Sequence, residues 1–249
     1  MAIFFSKGDL GDIGRHAVVA ALELPSWVVS SIRVFSEHVG SLDQINWNCG
    51  CLDHKLSSKD KGRLQLVQLD CSADDLIYHL IGVDAVISCL GNREPWNNEH
   101  LVKIGTERQV QAILAHGIQR FIMLSSAGIA EDWPPIEWCS DGARLAGLFR
   151  RMCKRQYEDL NGAEKAVREG AEIRPSLNFL IVRCVFAPEY TRPIGKWHVQ
   201  KEKRSGDNPS SLIAKMDCAR FLVRETVIPT LSRQGVVVGG CPFVPSEML

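Results

Sequence analysis

Gly8, Gly11 and Gly14 recur at every third residue, behind the apolar run Ile3-Phe4-Phe5 and ahead of Arg15-His16-Ala17-Val18-Val19. That order is strand, glycine turn, helix. Gly8 and Gly11 lack a Cβ, so a phosphate can approach backbone N–H groups there, and a helix starting near Gly11 aims its positive dipole end at the anion. Leu10, Asp12 and Ile13 fill the turn, and Gly14 lets the helix lie close on the strand. The chemistry served by this spacing is the holding of a dinucleotide pyrophosphate. Asp9 and Asp12 oppose it, since a carboxylate roughly 6 Å from a pyrophosphate costs about 3 kcal/mol at an effective dielectric near 20. Lys7 and Arg15 offset part of that field, and the dipole of a first helical turn favours an acid at Asp12.

Other polar residues fall at the ends of further strands. Glu37 follows the alternating stretch 31–36, where a carboxylate can accept hydrogen bonds from an adenosine ribose and repel a 2′-phosphate. This predicts NAD(P)H with a weak preference for NADH; Arg33 or Lys7 would reverse it, and a solvated strand-end Glu37 is the plain alternative. Asp70 and Cys71 follow the strand 64–69 and are placed to face an adenine ring. The apolar strand 84–91 ends at Leu90-Gly91, and Gly91-Asn92 faces the ribose. Ser125-Ser126 follows the strand 118–124. Five separate turns thus supply one site.

The elements that must hold these turns alternate. A helix over 100–116 repeats Leu101, Ile104, Val110, Ile113 and Leu114 and ends at Gly117, and a long helix runs from Asp141 to about Glu169. Asp74 is placed to cap a helix over 75–81, and Asp217 one over 218–227. Strands follow at 177–182 and 235–239. Short connections between alternating strands and helices predict an α/β fold: a doubly wound parallel sheet of Rossmann type, in a single domain over 1–249 with a small C-terminal substrate-side lobe. That lobe is assigned to about 130–160 and 187–215. It includes the aromatic loop with Trp133, Pro134, Pro135 and Trp138, which either closes over a bound ring or is simply pinned by its tryptophans. The stretch 190–209, rich in Pro, Gly and charge, reads as a flap.

With 29 basic and 29 acidic residues, formal charge is balanced. No nucleic acid and no membrane partner is expected on electrostatic grounds. No apolar run reaches the ~18 residues of a membrane span, and the first strand begins close to Met1, so a cytoplasmic protein is expected. Nine cysteines are scattered, several in apolar runs, as small hydrophobes. Cys49, Cys51 and His54 cluster, but no second pair stands at zinc-site spacing, so no metal is expected.

Together these motifs resemble the atypical short-chain dehydrogenase/reductases, notably the NmrA-like group with its biliverdin-reductase-B and flavin-reductase relatives. The family's glycine turn maps onto Gly8, Gly11 and Gly14, its fourth strand onto 84–91, and its helix and strand leading to a serine onto 105–126. Its Tyr-x-x-x-Lys helix maps onto Tyr157 to Asn161, and its Arg-Pro after the sixth strand onto Arg183-Cys184. The resemblance implies a serine, Ser125 or Ser126, that polarises a carbonyl, and Tyr157 as proton donor. Arg183 would join the cofactor-binding set. Asn161 stands where the family has lysine: a neutral amide can still hydrogen-bond a ribose, but without a nearby cation a phenol stays near its ordinary pKa of ~10. Lys154 and Lys165 lie on other turns and could substitute only if the helix kinks. The implied function is NAD(P)H-dependent hydride transfer to a small or cyclic acceptor such as a carbonyl, quinone or flavin. A degenerate NAD(P)-binding regulator or scaffold subunit is the alternative. A small-molecule substrate is the expected partner, and monomer, homo-oligomer and subunit of a larger assembly are all compatible with the sequence.

Overall fold

The computed structural model describes residues 1–5, 12–36, 56–69, 76–91, 100–127, 129, 153–188, 191–201 and 212–240. Its strands are β1 (Ala2–Phe5), β2 (Ile32–Ser36), β3 (Leu64–Gln68), β4 (Ala85–Cys89), β5 (Arg120–Ser126), β6 (Asn178–Cys184), β7 (Trp197–Lys201) and β8 (Gln234–Gly240). The described helices are α1 (Asp12–Leu22), α2 (Ser58–Arg63), α3 (Leu76–His79), α4 (Leu101–His116), α5 (Lys154–Ile173) and α6 (Lys215–Val227). One sheet of order β3-β2-β1-β4-β5-β6-β8-β7 holds every strand. All pairs are parallel except β7 with β8. This is the expected doubly wound sheet with an antiparallel edge added.

Alternation within each strand divides the core into two layers. Ile3, Val34, Ile87, Ile122 and Leu180 turn toward Ala17, Val18, Ala21, Phe221 and Leu222 of α1 and α6. Their neighbours Ala2, Phe35, Val86, Phe121 and Phe179 turn toward Leu76, Val110, Ile113, Ala163 and Val167 of α3, α4 and α5. Each large apolar side chain so buried contributes about 1.5–3 kcal/mol. The two covering layers explain why β4, buried at every residue, reads as an unbroken apolar run.

The α4–α5 pair is held at close range. A Cβ on Gly170 would collide with Val110, so only glycine permits the approach. Asp159 of α5 accepts the Val102 N–H at 3.0 Å and the Lys103 N–H at 2.7 Å, satisfying two of the orphan donors at the start of α4. At the far end Gly117 (φ 69°) closes α4. Arg120, at the start of β5, donates to the carbonyls of Glu225 and Leu231 and to Asn178 Oδ1, fastening the foot of the sheet to α6.

Several local expectations need correction. β5 runs through Ser125 and Ser126, so the serines belong to the strand, and β6 and β8 likewise extend past their expected ends. The stretch expected as a flap contains β7, whose pairing with β8 needs only backbone and is compatible with mixed side chains at an edge. α3 ends at His79 and not at 81, and Asp74 lies outside the described residues. α6 starts at Lys215, and its N-cap is Ala214, without a side-chain cap. Asp217 instead accepts the N–H groups of Ile194 and Gly195 at 2.8 and 2.9 Å, holding the loop before β7 against α6. Of the long helix expected from Asp141, the described part is α5.

Asp159→Ala removes the acceptor of two buried N–H groups. Urea unfolding should show a loss of about 2 kcal/mol; an unchanged midpoint would show that α4 does not need this cap.

Candidate functional site

A sheet covered on both faces leaves its ends open. In the order β3-β2-β1-β4-β5-β6, the chain leaves the C-terminal ends of β1 and β4 toward opposite faces, and the crevice between those exits is where doubly wound sheets bind ligands. The register places Phe5 beside Cys89, and Ser126 beside Cys184, along this rim.

α1 begins at Asp12 on the rim, with Ile13 half-buried and Gly14 buried. Gly8, Leu10, Gly11, Glu37, Asp70, Cys71 and Asn92 lie outside the described residues, as do Cys49, Cys51, His54, Trp133 and Trp138. Leu90 is buried at the tip of β4, and a Cβ built on the exposed Gly91 would meet no described residue within 4 Å. At the tip of β2 the buried Ser36 hydroxyl finds no hydrogen-bond partner among the described residues. A buried hydroxyl without a partner at that tip, next to Glu37, fits a ligand with polar groups such as a ribose. Nothing in the pattern 31–36 singled Ser36 out; only its burial does. Arg33 sits near the other end of β2 and donates to Gln65 and to the carbonyls of His79 and Ile81. Its guanidinium is therefore engaged away from the rim.

Of the helices that begin on the strands' C-terminal side, α1 and α4 follow β1 and β4, the two strands that flank the crevice. The start of α4 is filled by the Asp159 carboxylate. The start of α1 is the one that the expected glycine turn leads into.

Ser125 and Arg183 are register partners on β5 and β6, with side chains on the face covered by α5. There the Ser125 hydroxyl donates to Glu164 Oε1 at 2.6 Å, and Arg183 donates through Nε to Oε1 at 3.0 Å and through Nη2 to Oε2 at 2.5 Å. All three side chains are buried. Glu164, like Ser36, was not singled out by the sequence pattern.

Tyr157 is half-buried and Asn161 exposed. At about 100° per residue, Tyr157 stands about 20° round the helix from Glu164 and about 10 Å nearer the N-terminus, above the strand tips. Leu160 stands about 60° round from Tyr157 on one side and Asn161 about 40° on the other. Lys154 and Lys165 pair with Glu158 and Glu169, and both lysine side chains are 75% exposed. α5 is an unbroken helix, so the kink needed to bring either lysine to Tyr157 is absent.

Residues 53–226 match a model of the NAD(P)H-binding family. The chain belongs to that family. The match excludes the first glycine turn and includes Ser125, Glu164 and Arg183. The NAD(P)H-binding fold is shared with an oxidoreductase from Lactococcus lactis (TM-score 0.66, 16% identity, 99% of this chain and 94% of that one). A short-chain dehydrogenase/reductase from Veillonella parvula solved in complex with NADP is similarly related (0.67, 15%, 96% and 94%). So is a proposed NADH-flavin reductase from Streptococcus pneumoniae (0.63, 18%, 96% and 99%). No curated protein matches the sequence.

In this NAD(P)H-binding chain three thiols, Cys89, Cys184 and Cys218, are buried beneath the rim. Among the described residues no group of three His, Cys, Asp or Glu could hold a metal ion, and no helix is long and apolar enough to cross a membrane. Burial pushes the Cys89 thiol up to about 12, with Cys184 adding to it. The Cys218 thiol is raised by its hydrogen bond with Cys184 and by burial. A raised thiol pKa stabilises the fold below the unfolded value near 9 and is lost as pH rises toward 12. Urea melts should show wild type losing about 1.4 kcal/mol more than Cys89→Ala between pH ~8 and pH ~10; parallel profiles would contradict the burial of this thiol.

Proposed function

We propose that this chain is an NAD(P)H-dependent oxidoreductase that passes hydride to a small cyclic acceptor, a flavin or quinone ring in preference to a simple carbonyl. Membership of the NAD(P)H-binding family, through residues that include the rim of β4, β5 and β6, carries the reading. When bound, the nicotinamide supplies a hydride. The turn from Gly8 through Leu10, Gly11, Asp12 and Ile13 to Gly14 holds the pyrophosphate on the start of α1, and Ser36 with Glu37 holds the adenosine ribose. Asp70 and Cys71 face the adenine; Leu90, Gly91 and Asn92 line the site above β4. Ser125 and Arg183 shape the nicotinamide end from within. Glu37 gives NADH the advantage over NADPH, and Arg33, engaged elsewhere, does not oppose it.

The acceptor follows from what α5 lacks. A simple carbonyl needs a proton as hydride arrives, and a phenol gives one readily when a cation lowers its pKa. Asn161 stands four residues beyond Tyr157 where the resemblance implies a lysine, and the lysines of this helix face solvent. A conjugated ring spreads the incoming charge and takes its proton from water. The fold shared with a proposed NADH-flavin reductase accords with this.

Oxidation of NADH followed at 340 nm with FMN, menadione and a simple aldehyde tests the proposal. Turnover is expected with the rings and not with the aldehyde. Gly11→Asp should abolish it, because a carboxylate then fills the phosphate turn, and Tyr157→Phe should cost less than about threefold. A loss of ~100-fold in Tyr157→Phe would instead mark the phenol as acid. Binding of NADH without turnover of any acceptor would contradict the enzyme assignment.

A further inference from the structure

Beyond the tip of β6 the chain is fastened to two other segments by its backbone. Val185 donates to the Val238 carbonyl at 3.2 Å, Ile213 to that of Phe186 at 3.1 Å, and Gly240 to that of Leu212 at 2.8 Å. Leu212 forms a parallel bridge with Phe186 on one side and bonds to the last residue of β8 on the other. This junction requires Gly240. A Cβ there would lie 2.6 Å from the Leu212 carbonyl oxygen and 3.6 Å from the Ile213 Cα, and backbone atoms so held do not give way.

The junction displays apolar surface. Partners in a parallel bridge stand side by side with their side chains on one side. Phe186 is 66% exposed and Leu212 45%, whereas their neighbours Val185 and Ile213 are buried. Apolar side chains scattered singly over a surface are ordinary. These two are adjacent, on a fixed backbone, two residues past the point where β6 lies beside Ser126 at the rim.

We infer that the Phe186–Leu212 face is the wall on which the acceptor ring lies, with Gly240 as the positioning residue that holds it. A conjugated ring offers its face or edge to the Phe186 phenyl in offset or edge-on contact and further apolar area to Leu212. A small aldehyde offers neither, so the wall selects rings by surface, whatever the source of the proton. Neither side chain carries charge or takes part in the hydride step. The inference rests on the oxidoreductase reading above and names the residues that choose its acceptor.

Binding of FMN and of menadione to the full-length chain, read by quenching of flavin or tryptophan fluorescence, and acceptor KM under saturating NADH test it. Phe186→Ala should weaken ring binding and raise acceptor KM about tenfold, and Leu212→Ala about threefold. In both, kcat and the Kd for NADH should stay within about twofold and Tm within about 2 °C, because the side chains are exposed. Phe186→Tyr should keep the wild-type KM. Gly240→Ala should raise acceptor KM severalfold with the Kd for NADH unchanged, and adding Phe186→Ala should raise KM little further, since both act through one wall. The ring whose KM rises more, flavin or quinone, is the class of acceptor that the wall serves. Ring binding and acceptor KM in Phe186→Ala equal to wild type for both rings would overturn the inference, as would failure of wild type to bind either ring. Ring binding that depends on Phe186 without turnover of NADH would support the wall and count against the oxidoreductase reading alone. The Phe186 variants decide the question even where Gly240→Ala does not fold.

Discussion

Covering both faces of the sheet is the constraint from which the site follows. Ile87 and Val86, adjacent on β4, are both fully buried because α1 and α6 lie on one side and α4 and α5 on the other. No ligand can reach those faces. What remains is the rim, and the reversal of strand order between β1 and β4 fixes where along the rim a crevice opens.

Buried carboxylates then set the chemistry of that rim. Asp159 neutralises the start of α4, Glu164 binds Ser125 to Arg183, and Asp217 holds the loop before β7. A buried carboxylate persists when donors surround it, and removing one partner of such a pair typically costs about 3–5 kcal/mol. Each of these acids joins two elements distant in sequence.

Much of the fold was legible because its signals are local. The run 84–91 is apolar throughout, the helix over 100–116 has its period and its closing glycine, and the order of elements implies the topology. The missed features depend on partners distant in sequence. Glu164 sits among Glu158, Lys165 and Glu169, where an acid looks like part of a wet face; only the pairing of Ser125 with Arg183 shows that it points inward. Asp217 stands where a cap would stand, but the loop donors of Ile194 and Gly195 claim it. β7 hides among Pro193, Gly195 and charged residues, because an edge strand needs no apolar pattern when β8 supplies its hydrogen bonds. Ser36 is an ordinary strand residue until its burial without a partner is seen.

For the proposed activity the crevice above β1 and β4 must accept a reduced nicotinamide dinucleotide despite Asp9 and Asp12. Isothermal titration of NADH and of NADPH into the full-length chain measures this directly. One site per chain with a Kd below roughly 100 µM is the predicted result, near −5.5 kcal/mol or better, with NADH the tighter. No heat with either dinucleotide at millimolar concentration would contradict it.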